Sequence, residues 1–187
     1  MFKTLLKSNK PTKPDLETLQ AFYAGAVGLS RAPVFYTRFE TPDTNDGRFD
    51  LLCLMLSLFL FRIQKDDPAM AQGLFDYAFK DVERGLREAG VGDLGVPKHM
   101  KRMIQGFYGR SASYYEALEQ GDTASLNAVL VRNLYNGNAN APAGPMAEWV
   151  QIAWSYLSQI DYADFARDPK AIMQLLPPDA PNRQEAA

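Results

Sequence analysis

Apolar side chains recur at helical spacing along most of the chain, and no stretch shows the strict alternation that predicts a strand. Prolines and turn residues divide this pattern into segments. The predicted helices cover, in chain order, about residues 15–29, 32–40, 47–65, 68–89, 97–120, 123–134, 145–160 and 169–176. The sequence therefore predicts an all-α, single-domain bundle of six to eight helices.

One segment, between Arg48 and Arg62, is apolar on every side, and Ser57 is its one polar side chain between residues 51 and 61. These eleven residues would span about 16 Å as a helix. A bilayer span needs about 20 apolar residues, whereas a helix that is apolar all round belongs in the middle of a bundle. We therefore expect a central apolar helix and no membrane span here.

The two ends of the chain differ from this helical domain, which is predicted to cover residues 14–176. Residues 1–13 carry four lysines and neither a secretory signal nor a mitochondrial presequence, and they are predicted to be a basic, flexible N-terminus. Their apolar residues leave contact with a membrane surface as an alternative. Residues 177–187 are predicted to be a disordered tail.

Charge and cysteine content restrict the function classes. A formal net charge of −2 argues against a general nucleic-acid binder, which would be strongly basic. Cys53 is the one cysteine, so no intrachain disulfide can form, and its place in the apolar run indicates a small core residue rather than a reactive thiol.

The segment GVGDLG, from Gly90 to Gly95, matches the dinucleotide-binding pattern G-x-G-x-x-G. That pattern requires a preceding strand, and here a helix precedes it, so the glycines are interpreted as a turn between helices. The single histidine, His99, has no neighbouring cysteine or histidine with which to form a zinc site. We expect no catalytic residues, no metal and no cofactor.

The helix that begins at Pro97 carries the best candidate for a docking surface. Lys98, Lys101 and Arg102 share one face at i, i+3, i+4 spacing. Gly106 and Gly109 follow in the helix interior, where each glycine costs about 1 kcal/mol relative to alanine. A solvated outer face is the alternative, but the glycines favour a surface that another helix or chain approaches closely.

Three segments together resemble the ubiquinol–cytochrome c chaperone family: RAPVFY at 31–36, DTNDGRFDLL at 43–52, and the long block from LFDYAFKDV to QGFYGR at 74–110. The resemblance covers about residues 30–135 and is weak after about residue 140. It implies an assembly factor with no enzymatic activity, which helps newly made cytochrome b reach ubiquinol–cytochrome c reductase. The absence of a presequence suggests a bacterial member, cytoplasmic and peripheral to the inner membrane.

The resemblance also implies partners: cytochrome b, and in addition the inner-membrane surface, a ribosome or a second assembly factor. The predicted partner-binding surface consists of Lys98, Lys101, Arg102, Gly106, Gly109 and Arg110, with Arg48 and Asp50 as weaker members. The alternative for Arg48 and Asp50 is that they cap and anchor the central helix. Two other functions stay open: a peripheral membrane scaffold, and an enzyme or nucleotide binder built on residues 90–95.

Overall fold

The computed structural model describes residues 14–178, and the predicted flexible segment 1–13 and residues 179–187 of the predicted tail lie outside this range. The described chain is helical and contains no strand, which confirms the all-α prediction. In order, its helices are α1 Leu16–Ser30, α2 Val34–Thr37, α3 Asn45–Asp66, α4 Pro68–Glu88, α5 Val96–Gln120, α6 Thr123–Asn133, α7 Ala143–Gln159 and α8 Tyr162–Arg167, followed by a 3₁₀ turn at Ala171–Leu175.

Helix α3 is the centre of the bundle and packs against α1, α4, α5 and α7. Every residue from Leu51 to Ile63 is buried except Leu52, which is partly exposed. Burying one leucine or phenylalanine side chain contributes about 1.5–3 kcal/mol, so this one helix supplies much of the apolar driving force for folding. The prediction of a central apolar helix is confirmed. No helix between residues 14 and 178 has both the length and the hydropathy to cross a bilayer.

Side-chain caps define where the helices begin. The carboxylate of Asp67 accepts a hydrogen bond from the Met70 amide at 2.9 Å, with Pro68 in the first position, which agrees with the predicted helix start at residue 68. Asp122 likewise caps α6, which starts at residue 123 as predicted. Helix α3 begins two residues earlier than expected, because the Thr44 hydroxyl accepts from the amide of Gly47 at 3.1 Å.

The C-terminal part of the bundle differs from the prediction in one element. Helix α8 was not expected; it forms because the Asp161 carboxylate accepts from the Ala163 amide at 2.8 Å and caps a new helix. The short helix expected at 169–176 is the 3₁₀ turn.

Arg62 fixes the C-terminal end of α3 to this part of the fold. Its guanidinium is almost completely buried, forms an ion pair with Asp66, and donates to the Ile160 carbonyl at 2.8 Å. The guanidinium carbon also lies 5.8 Å from the ring centre of Tyr162. A buried cation needs such partners to offset its desolvation.

Gly47 allows the loop before α3 to fold back onto the helix. A Cβ atom at this position would overlap the carbonyl oxygen of Pro42 and lie 2.9 Å from the Pro42 Cβ. Because the obstruction is backbone, it cannot be relieved by rotating a flexible side chain.

We predict that Gly47→Ala lowers the free energy of unfolding by about 1–3 kcal/mol, the usual cost of overpacking. Gly28→Ala is the matched control, since no atom lies within 4 Å of a Cβ there. The control should be unchanged or stabilised by up to about 1 kcal/mol, from helix propensity. Urea unfolding followed by circular dichroism measures both. A Gly47→Ala midpoint equal to that of the wild type would contradict the prediction.

Candidate functional site

A groove of about 400 Å³ opens between α1, the N-terminal end of α3 and the C-terminal half of α4. Its floor is apolar and consists of Val27, Phe49, Leu52 and Val82. Leu52 belongs to the apolar run of α3 and is the member that packing leaves partly exposed. The central helix therefore contributes to a surface as well as to the core.

The rim of the groove is polar and carries both signs of charge. Arg31 and Arg48 lie on the side of α1 and α3, and Asp81 lies on α4. Tyr23 donates a 2.6 Å hydrogen bond to Asp81. Burial, together with this bond to Asp81, raises the pKa of the Tyr23 hydroxyl above its ordinary value, so the phenol stays protonated.

Arg48 is held over the groove by two contacts. Its Nε donates to Asp43 at 2.5 Å, and its guanidinium carbon lies 5.9 Å from the ring centre of Tyr36. The hydrogen bond from Arg48 keeps the pKa of Asp43 below its usual value. Tyr36 in turn donates to the Ser30 carbonyl at 2.8 Å. Arg31 is exposed and has no ion pair within residues 14–178.

Asp50 and Arg110 meet on the other side of α3, between α3 and α5. Arg110 Nη2 lies 2.7 Å from Asp50 Oδ1, and the two side chains are 28% and 5% exposed. Burial raises the pKa of the Asp50 carboxyl to about 6, and the attraction of Arg110 lowers it only in part. The pair joins the GRFD and FYGR segments and anchors the central helix.

The two glycines of α5 have different surroundings. A Cβ at Gly106 would lie 2.8 Å from Nη1 of Arg110, so this glycine makes room for the arginine to fold back towards Asp50. A Cβ at Gly109 would meet no atom within 4 Å. The close approach expected at Gly106 is therefore made by a side chain of the same helix, and Gly109 faces open space.

Three of the predicted cations remain on the outer surface of α5. Lys98, Lys101 and Arg102 are exposed, and Gln105 and Gly109 continue the same exposed face. We call these five residues the α5 stripe. The structure thus divides the predicted partner-binding residues among the α5 stripe, the groove, which holds Arg48, and the buried Asp50–Arg110 pair with Gly106. Their role in partner binding stays a prediction.

The groove includes residues that sequence reasoning did not select, among them Tyr23, Arg31, Phe49, Leu52 and Asp81. One signal was available: Arg31, Phe49, Leu52 and Asp81 all belong to the segments that carry the family resemblance. Their meeting at one place depends on how α1, α3 and α4 pack, and helical periodicity in each segment does not specify this.

The segment from Gly90 to Gly95 is a turn between α4 and α5, as predicted, with Gly90 in the left-handed region at φ 85°. It lacks the strand that a dinucleotide fingerprint follows. Cys53 is buried, as expected for a core residue, and burial raises the pKa of its thiol. Within residues 14–178, no three acidic, histidine or cysteine side chains are grouped as metal ligands.

An all-α body with an apolar groove and an arginine-bearing rim is typical of a binding domain. The chain belongs to the Ubiquinol-cytochrome C chaperone family, whose model matches residues 37–171. The match extends through α8 and therefore beyond residue 140, where the sequence resemblance was weak. Among proteins with curated functions, none matches the chain.

The crystal structure of the Cbp3 homolog from Brucella abortus is similar to this chain. The two share 36% sequence identity with a TM-score of 0.73, over 80% of this chain and 85% of that chain. The likeness therefore covers most of both molecules, and it places this chain beside a bacterial member of the family.

The raised pKa of Asp50 predicts a pH dependence of stability. Because the folded state holds this proton more tightly, the contribution of Asp50 is present below about pH 4 and is lost as pH rises through about 6. One unit of pKa difference is worth about 1.4 kcal/mol, so the loss reaches at most about 3 kcal/mol. Asp50→Asn removes this titration and should gain stability relative to the wild type between pH 4 and 7.

Urea unfolding at a series of pH values measures this difference. Asp43→Asn is the control, because the pKa of Asp43 is lowered and its contribution is instead lost as the pH falls through that lowered pKa. A constant difference between wild type and Asp50→Asn from pH 4 to 7 would show that the Asp50 pKa is not raised.

Proposed function

We propose that this protein binds newly made cytochrome b non-covalently and so promotes the biogenesis of ubiquinol–cytochrome c reductase. Family membership supports the role in assembly. The groove is the proposed binding site, because it is lined by residues from all three of the segments that resemble the family. Its position on the surface leaves it open to a client chain.

In this proposal, the groove shields an apolar part of the client before that part finds its place in the complex. The floor formed by Phe49 and Leu52 removes apolar client side chains from water, which favours binding without a covalent step. Arg31 and Arg48 lie where they can donate hydrogen bonds to carbonyl or carboxylate oxygens of the same segment. A mixed rim of this kind restricts the orientation of the client.

We also place the protein on the cytoplasmic side of the inner membrane, as a peripheral protein, because its client is inserted there. A ribosome or a second assembly factor is a further proposed partner. The action is one of binding: the hydroxyl of Tyr23 is held by Asp81 and kept protonated by its raised pKa, and no step of the proposal uses it as a nucleophile.

Deleting the gene should lower the amount of assembled reductase in membranes and leave the cytochrome b transcript unchanged. Membrane haem spectra and ubiquinol–cytochrome c reductase activity measure the complex, and the full-length gene supplied in trans should restore both. Normal amounts of assembled complex in the deletion strain would end the proposed role in assembly.

A second experiment tests the groove itself by filling it. No atom lies within 4 Å of a Cβ at Gly85, which lines the groove, so Gly85→Phe can occupy the space and should not disrupt the core. Gly109→Phe is the matched control, because Gly109 is also a helix-interior glycine with open space around it, outside the groove. It belongs to the α5 stripe, the competing surface predicted from the sequence, so the two variants distinguish the two surfaces. Both variants gain helix propensity of a few tenths of a kcal/mol relative to glycine.

We expect Gly85→Phe to lose most of its ability to restore the reductase in the deletion strain, and to lose crosslinks to cytochrome b. Gly109→Phe should complement like the wild type. Equal thermal melting of the three purified proteins excludes unfolding as the cause. Full complementation by Gly85→Phe, or failure of Gly109→Phe alone, would show that the client binds somewhere other than the groove.

A further inference from the structure

The turn that leads into α5 carries an exposed apolar side chain next to the exposed cations of that helix. The Val96 amide donates to the Gly92 carbonyl at 3.2 Å and the His99 amide donates to the Gly95 carbonyl at 3.1 Å, so helical hydrogen bonding begins before the helix proper. Leu94 precedes Lys98, Lys101 and Arg102 by four, seven and eight residues in the sequence, so it lies just before the first turns of α5, which carry these cations. Leu94 is 99% exposed.

Near Leu94, the neighbouring acidic side chain forms an ion pair, whereas the cations at the start of α5 do not. The acidic side chain next to it, Asp93, is paired with Arg87, which also binds Glu83. Lys98, Lys101 and Arg102 have no ion pair within the described residues, and the first carboxylate of α5 is Glu116. The end of the molecule that carries Leu94 thus presents cations whose charge is not neutralised within the described chain.

We propose that this end of the molecule, Leu94 with Lys98, Lys101 and Arg102, docks on the surface of an anionic lipid bilayer. An apolar side chain beside cations fits the boundary between headgroups and acyl chains, where the leucine leaves water and the cations lie near lipid phosphates. An acidic protein surface could pair with the cations, but it would not account for a fully exposed leucine beside them.

This contact rests on the proposed peripheral location at the inner membrane and names the residues that make it, which differ from those proposed to bind cytochrome b. The groove is lined by α1, α3 and α4, whereas the lipid contact is made by the α4–α5 turn and α5. A protein docked by this end would keep the groove free for a client at the membrane where that client is inserted. Client binding in the groove and lipid contact by the α4–α5 turn and α5 can therefore fail independently of each other.

Vesicle flotation of the full chain tests the lipid contact, with phosphatidylcholine vesicles that do or do not contain phosphatidylglycerol. The wild type should float with the anionic vesicles, less so as salt is raised, and not with pure phosphatidylcholine. The triple variant Lys98→Gln, Lys101→Gln, Arg102→Gln should bind about fivefold more weakly for each cation removed. Leu94→Ser should bind about tenfold more weakly.

Matched controls carry the same changes elsewhere on the surface. Lys80→Gln, Arg132→Gln and Lys170→Gln together remove three exposed cations outside the proposed contact, and Ile152→Ser removes another exposed apolar side chain, which is 56% exposed. Both controls should float nearly as well as the wild type. Failure of the wild type to bind anionic vesicles, or equal losses in variants and controls, would overturn the proposal.

A fluorescent label locates the contact directly. Cys53 is buried, so a polarity-sensitive dye attached to a Leu94→Cys variant reports from residue 94. Its emission should shift to shorter wavelength when anionic vesicles are added, whereas the same dye on Ile152→Cys should not respond. No shift at residue 94, or the same shift at both positions, would contradict docking by this end, whatever the Gly85→Phe variant does in cells.

Discussion

The burial of α3 is the constraint on which the rest of the structure depends. Helices α1, α4, α5 and α7 pack around it, and nearly all of its side chains from Leu51 to Ile63 are removed from water. Both ends are fixed by arginines: Arg110 pairs with Asp50 at the N-terminal end, and Arg62 bonds to the Ile160 carbonyl at the C-terminal end. These charge-assisted hydrogen bonds are directional, so they add a fixed orientation at each end to the close packing along the helix.

The same central helix separates the surfaces of the molecule. Successive residues of a helix point in different directions, so Arg48 reaches the groove while Asp50 is directed to α5. Most charged side chains on the C-terminal part of α4 are paired, whereas Lys98, Lys101 and Arg102 of α5 remain exposed. One bundle therefore offers an apolar groove with a mixed rim and, apart from it, a cationic end.

The positions of most helices could be predicted from the sequence, because helix starts and ends depend on nearby residues. Asp67, Asp122 and Gly121 act at the helix ends where their residue types indicated. The apolar residues that recur at helical spacing along this segment are not covered equally: Leu74 and Ala78 are buried, but Ala89, just after the end of α4, is exposed. Periodicity shows which face of a helix is apolar, but not how far along its length a neighbouring helix covers that face.

The sequence by itself determined the all-α class, the central place of the apolar run and the family to which the chain is similar, because composition, spacing and motif are properties of neighbouring residues. Only the tertiary structure decided that Arg110 and Asp50 form an inward pair, that Leu52 reaches a groove and that Leu94 stands in solvent. Those outcomes depend on which helices touch, and contacts between residues far apart in sequence are set by packing the whole chain at once.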